Sequence, residues 1–198
     1  GGALGAYQCG VYEALHEAGI QPGWFAGTSI GAINAAIIAG NAPAERIDRL
    51  AAFWTQITRH ATGMAWPLDA LAAMAAWMPP GNALATGLSA SSALSSLGVG
   101  QQGLFQPRRM SPLLFADGSA QATSFYDTAP LKRTLERLID FDRINHGEVR
   151  LSVGAANVNS GNVRYFDSAH ETLRAEHIMA SAALPPAFPA IAIDGELW

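Results

Sequence analysis

An α/β domain with a mainly parallel sheet flanked by helices is the fold class this sequence predicts, and three observations predict it. Short apolar runs of strand length alternate with longer runs whose apolar residues recur every three or four positions. A G-x-S-x-G pentapeptide, Gly27-Thr28-Ser29-Ile30-Gly31, lies between one such strand and one such helix. A glycine cluster, Gly1-Gly2-Ala3-Leu4-Gly5, opens directly into a helical pattern. At 198 residues the chain is long enough for one domain with a sizeable core and too short for two comfortable ones, so 1–198 reads as a single domain.

The first helix starts at about Gly5, with Leu4, Val11, Leu15 and Ala18 at the spacing of one buried face and Gly19 suited to the left-handed position that ends it. Cys9 on this helix is the only cysteine, which rules out an intrachain disulfide and suits a small buried residue. Trp24-Phe25-Ala26 is the strand that feeds the pentapeptide, and the run from Ala32 to Ala39 is a buried helix of small and apolar residues. A third helix is expected over 43–58, with Pro43 in its first turn and Ala44, Ile47, Leu50, Ala51 and Trp54 on one face.

Between about 60 and 123 the chain changes character. Met64, Trp66, Leu68, Leu71, Met74, Trp77 and Met78 cluster, and Gly-, Ser- and Ala-rich sequence follows. Two readings stay open: a cap or lid inserted over the pentapeptide, or an ordinary amphipathic helix followed by a loop. Arg108 and Arg109 near its end suit either an anionic head group or plain solvation. Regular structure then resumes, with a helix carrying Leu131, Leu135, Leu138 and Ile139, strands over 149–155 and 163–166, and a helix over 174–183. Two last strand-like runs end at Ile193 and begin at Glu196, separated by Asp194-Gly195, a pair with type I′ hairpin character.

The chemistry concentrates at the two glycine motifs. A serine at the apex of a strand-to-helix turn sits in strained backbone, and glycines on either side let strand and helix pack closely, so Ser29 is the candidate nucleophile and Gly27, Thr28, Ile30 and Gly31 its elbow. Backbone N–H groups of Gly1, Gly2 and Ala3 point out of a helix N-terminus, where the dipole favours a negative oxygen. That oxygen belongs to a bound phosphate or to an oxyanion. A dinucleotide site wants an acidic residue about twenty positions on, and Gln21-Pro22-Gly23-Trp24 offers none; a P-loop wants a lysine, and none is near. The oxyanion hole survives, because acyl transfer needs both parts.

With these motifs the sequence resembles the patatin-like phospholipase family, which carries a G-G-G-x-Arg/Lys-G oxyanion motif, a G-x-S-x-G elbow and a later Asp-Gly-Gly/Ala motif completing a Ser-Asp dyad. Gly1-Gly2-Ala3-Leu4-Gly5 corresponds to the first motif without its leading glycine and with Leu4 in place of the cation; the elbow corresponds in full. Ala180-Ser181-Ala182-Ala183-Leu184-Pro185-Pro186-Ala187-Phe188-Pro189 is similar to the segment that leads toward the family's aspartate. The resemblance implies a three-layer α/β/α sandwich, serine hydrolysis of phospholipids or related acyl esters, no metal or organic cofactor, contact with a lipid surface, and a place in the cytoplasm or at the membrane periphery. It also implies that the dyad aspartate follows an aromatic residue after a hairpin. Trp198 is that aromatic, so the base is expected just beyond it in a chain cut at both ends, with Asp194 the fallback. Asp117-Gly118 reads as a polar turn.

Two other functions stay in view: a Ser-His-Asp esterase or acyltransferase, for which Asp167 and His170 are the best pair, and a lipid-binding module that has lost its chemistry. His16, His60, His146 and His177 lie in helical patterns or at helix ends. One cysteine and no His-x-x-x-His spacing argue against a metal site. A formal net charge of −4 without a basic patch argues against nucleic acid. Charged residues make up only 14% against a usual quarter, yet no apolar run reaches the roughly twenty residues that span a bilayer.

Overall fold

The computed structural model describes residues 2–58, 100–110, 112–115 and 120–198. Gly1, most of the 60–123 segment with its Met and Trp cluster, and Asp117-Gly118 lie outside the described residues. In chain order the described elements are a 3-10 turn at Gly2–Gly5, α1 (Ala6–Glu17), β1 (Trp24–Thr28), α2 (Ile30–Ala39), α3 (Arg46–Thr58), β2 (Gln106–Pro107), β3 (Tyr126–Asp127), α4 (Ala129–Leu138), α5 (Phe141–His146), β4 (Arg150–Ala156), β5 (Val163–Asp167), α6 (Ala175–Ala182), β6 (Ala192–Ile193) and β7 (Glu196–Leu197), with short 3-10 turns at Pro112–Leu114 and Ala120–Thr123.

The α/β class holds, and the central sheet is mixed where alternation predicted mainly parallel pairing. Its order is β1-β4-β5; β1 runs parallel to β4 with Gly27 opposite Val153, and β4 runs antiparallel to β5 with Val153 opposite Phe166. The reason is the length of the second connection. Residues 157–162 form a tight reversal in which Asn157 Oδ1 accepts the N–H groups of Asn159 (3.1 Å) and Ser160 (2.9 Å), whereas a parallel return needs a dozen residues or more.

Helix α2 is the centre of the core. Ala32, Ala36 and Ile37 are fully buried, and its small residues let it lie close against β1 and β4. On the same sheet face α6 packs against β4, and its His177 ring meets Phe166 edge-on at 4.8 Å. On β1 the burial alternates: Phe25 and Gly27 face the helices, and Trp24, Ala26 and Thr28 are exposed on the other face. Leu131, Leu135 and Leu138 bury α4 against its neighbours along the face their spacing predicts.

Two helix faces depart from the sequence reading. On α1 the inward side is Gly5, half-buried Cys9, buried Tyr12 and His16, while Leu4 is 78% exposed and Val11 and Ala18 are exposed too. The cause is close approach at Gly5, where a Cβ would fall 2.7 Å from Ile30 Cγ1, so residues in line with Gly5 turn inward. Burial also pushes the Cys9 thiol up from its ordinary value. Helix α3 begins at Arg46, three residues after Pro43, which lies in a turn closed by Glu45 N–H to the Ala42 carbonyl (2.8 Å). Its buried face is Arg46, Leu50, Phe53 and Ile57, with Ala44 and Ala51 exposed. The buried Arg46 sets that rotation by donating to the Asn41 carbonyl (3.0 Å) and the Tyr12 hydroxyl (3.1 Å).

The last hairpin is as its turn chemistry predicts. Asp194 (φ 50°) and Gly195 (φ 82°) both take the left-handed conformation of a type I′ turn, and the Asp194 side chain is exposed. Ile191 and Trp198 exchange backbone hydrogen bonds of 2.7 and 2.9 Å, and the Trp198 ring packs on Phe166 at 5.0 Å.

Candidate active site

β1 ends at Thr28 and α2 begins at Ile30, so Ser29 alone makes the turn. It does so at φ 57°, ψ −127°, a conformation that costs a non-glycine residue on the order of 1–3 kcal/mol and persists only where the surroundings hold it. Those surroundings are identifiable. A Cβ on Gly27 would overlap the Gly31 carbonyl group, so only hydrogen fits where strand and helix cross. The Ser29 carbonyl accepts Ala32 N–H (2.9 Å) and Ile33 N–H (3.2 Å), which starts the helix. The Ser29 N–H, aimed away from the helix, donates to Ser181 Oγ at 2.8 Å, and the Ser181 hydroxyl donates in turn to the Gly154 carbonyl at 2.6 Å. A buried hydroxyl on α6 thereby ties the serine's own backbone to β4, which lies beside it.

The glycine-rich turn is anchored to the same helix. Asn34, 3% exposed in the middle of α2, donates through Nδ2 to the Gly5 carbonyl (2.9 Å) and to Gln8 Oε1 (2.8 Å), and its Oδ1 accepts Trp54 Nε1–H (3.1 Å). Gly2 takes φ 62° and Ala3 follows it in the 3-10 turn. The leading N–H groups of such a turn have no partner within the turn itself.

Gly2 and Ser29 border one cavity of about 180 Å³. Its other walls are Ile30 and Ile33 of α2, Leu131 of α4, Met179 and Ala182 of α6, and the rings of Phe105 and Phe188. Thr128 and Ser29 are its only polar side chains among the described residues. No Asp, Glu or His side chain borders it among them, and Asp194 at the hairpin tip is not part of it.

The pair Asp167 and His170 is elsewhere. Asp167 closes β5 opposite Ser152, which pairs with Ala26 in the middle of β1, so it lies two strands over from β1, whereas Ser29 follows the end of β1. Three residues along the strand and two strand spacings separate Asp167 from Ser29, on the order of 14 Å. Asp167 is also fully engaged: it takes the Arg150 guanidinium at 2.8 and 2.9 Å and the Ser152 hydroxyl at 2.6 Å. The Arg150 guanidinium, helped by Ser152 and the Ala169 N–H, holds its carboxyl well below the usual range despite burial. His170 is exposed on the turn after β5. This geometry places Asp167 and His170 away from Ser29. The buried His177 is occupied as well, with Nδ1 accepting the Arg174 N–H (2.9 Å) and burial lowering its proton affinity. Arg108 is held by the Ser124 carbonyl and hydroxyl, both at 3.1 Å, while Arg109 is exposed.

Sequence reasoning brought Ser29, Gly27 and Gly2 together but gave no role to Ser181 or Asn34. Asn34 carries a signal, being the lone polar side chain in the run from Ile30 to Ala39. Ser181 carries a fainter one, as a hydroxyl within the Ala-rich motif. Among the described residues no three His, Cys, Asp or Glu side chains gather, and no helix is long and apolar enough to cross a membrane. The sequence matches the family model for patatin-like phospholipase over residues 1–198. No curated protein matches it.

Proposed function

Because the chain belongs to the patatin-like phospholipase family, and so to the lipid acyl hydrolases, we propose that it cleaves acyl esters of phospholipids or related lipids with Ser29 as nucleophile. The observation that carries this reading is the strained Ser29 turn opening, beside Gly2, into a cavity with apolar walls. A reactive hydroxyl, free helix-terminal donors and an apolar slot for a chain are what acyl transfer to serine requires.

In this reaction the Ser29 hydroxyl gives its proton to an aspartate, which is not among the described residues, as Oγ attacks the ester carbonyl carbon. The charge that develops on the carbonyl oxygen is met by backbone N–H groups of Gly1, Gly2 and Ala3; donors of this kind are worth about 3 kcal/mol each to a transition state. The C–O bond to the alcohol then breaks, and the departing oxygen takes the proton from the aspartic acid. Water, deprotonated by the same carboxylate, attacks the acyl-serine; the bond from the acyl carbon to Ser29 Oγ breaks, Oγ takes the proton back from the aspartic acid, and the fatty acid leaves. An apolar surround that excludes water strengthens a carboxylate as base by destabilising its charged form. No metal or organic cofactor takes part in this scheme. Asp194 has no part in it, since it serves a hairpin turn.

The test is Ser29→Ala in the full protein, assayed on p-nitrophenyl acyl esters and on phospholipid vesicles. Loss of at least a thousandfold in kcat with an unchanged melting curve is expected. Turnover within tenfold of wild type would reject Ser29 and favour another nucleophile. Retained vesicle binding with no hydrolysis by the wild type would point to a lipid-binding module.

A further inference from the structure

The cavity beside Ser29 has walls of two kinds. Ile30, Ile33, Leu131 and Met179 come from helices α2, α4 and α6. Phe105 and Phe188 come from two loops and meet at 4.9 Å. Behind them stands Tyr126 of β3, 5.0 Å from the Phe105 ring and 5.8 Å from the Phe188 ring. Three rings in mutual contact resist displacement better than one.

The backbone behind this trio is paired as well. Phe125 and Tyr126 donate N–H groups to the carbonyls of Pro186 and Ala187, both at 3.1 Å, which fastens the segment before Phe188 to β3. Phe105 and Gln101 exchange backbone hydrogen bonds at 2.8 and 3.1 Å. The Arg108 guanidinium braces the same region through Ser124. An aromatic wall held in this way resists displacement by a longer chain.

We infer, on the reading of Ser29 as the acyl-accepting serine, that the preferred substrates are esters of short-to-medium acyl chains of about six carbons, and that Phe105 and Phe188 are the specificity-determining stop. The length follows from volume. An apolar cavity of about 150 Å³ takes a six-carbon ring, so one of about 180 Å³ accepts roughly six carbons. Up to that limit each added methylene leaves water and raises kcat/KM about fourfold. Beyond it the chain meets the rings, and overpacking reverses the trend.

The experiment is a chain-length series of p-nitrophenyl esters from C2 to C16, below their micelle concentrations, on the full protein as wild type, Phe105→Ala and Phe188→Ala. A Phe188→Leu variant and thermal melts guard against misfolding. The wild type should peak between C4 and C8 and fall at least tenfold by C12, and the Ala variants should move the peak two or more carbons longer. A wild-type profile that keeps rising to C12 overturns the inference, as does a peak that stays in place in every folded variant. The hydrolase reading fails separately, if no ester is turned over. In that event the same series of fatty acids, titrated calorimetrically into Ser29→Ala protein and its Phe188→Leu derivative, decides the chain-length claim by the position of the affinity optimum.

Discussion

Ser29 owes its position to a side chain 152 residues away. Its N–H group, turned out of the helix by the positive φ, is satisfied by the Ser181 hydroxyl, which in turn satisfies the Gly154 carbonyl. Removing that hydroxyl leaves a donor and an acceptor unpaired, at a cost of about 1–3 kcal/mol. It also frees the strained turn to relax. Ser181→Ala should therefore lower kcat ten- to a hundredfold with KM changed less than threefold, and Ser181→Thr, which keeps the hydroxyl, should recover most of the loss. Steady-state kinetics on a short acyl ester together with a thermal melt check this. Equal changes in kcat and KM would make Ser181 a purely structural residue. Nothing local in the sequence announces such a link, because hydrogen bonds between distant segments leave no periodic trace; Asn34 shows itself only as a polar interruption, and its three partners are fixed by packing.

Among the elements, those whose geometry depends on neighbouring residues were legible and those that depend on distant partners were not. The turn between β1 and α2 requires Gly27 where the backbones cross, and the last hairpin requires two residues at positive φ, so both are written in the sequence. The inward face of α1 is not, because Leu4, Val11 and Ala18 sit at helical spacing on a face that Gly5 turns outward. The antiparallel return of β5 is not assigned by the alternation of helices and strands, which speaks for the sheet as a whole, although 157–162 is rich in turn residues. A second prediction belongs to this scale. Asp167 joins β4 to β5 through Arg150 and Ser152, and Arg150 lies over the Trp24 ring at 4.3 Å, so the three strands are stapled at one end. With its carboxyl held below the ordinary 3.8, the unfolded chain takes up a proton that the folded one refuses, so this contribution is intact above about pH 4 and is lost as pH falls. His177 acts in the same direction at higher pH: burial lowers its affinity below the ordinary 6.5, so stability declines as pH drops below that value. Thermal melts from pH 8 to 3 should show both declines. Asp167→Asn should lower the melting temperature at pH 7 and flatten the decline below pH 4, and an unchanged slope there would show that the staple contributes nothing.

At the scale of the whole molecule the candidate site is an assembly of segments far apart in the chain: the glycine-rich turn and elbow near the start, Phe105 and Leu131 from the middle, Met179 and Phe188 near the end. Sequence reading found the first pair because their spacing and setting are stereotyped, and it named the motif around Ser181 without its function. It could not find the cavity, since a wall built from two loops and three helices exists only after folding. The central claim is that Ser29 is a nucleophile held ready by this assembly, and it is tested most directly by labelling the full protein with a fluorophosphonate and mapping the adduct by peptide mass spectrometry. The account predicts a single phosphonate on the peptide containing Ser29, absent from Ser29→Ala and slowed at least tenfold in Ser181→Ala. Labelling at another residue, or none at Ser29 while the protein still hydrolyses acyl esters, would contradict it.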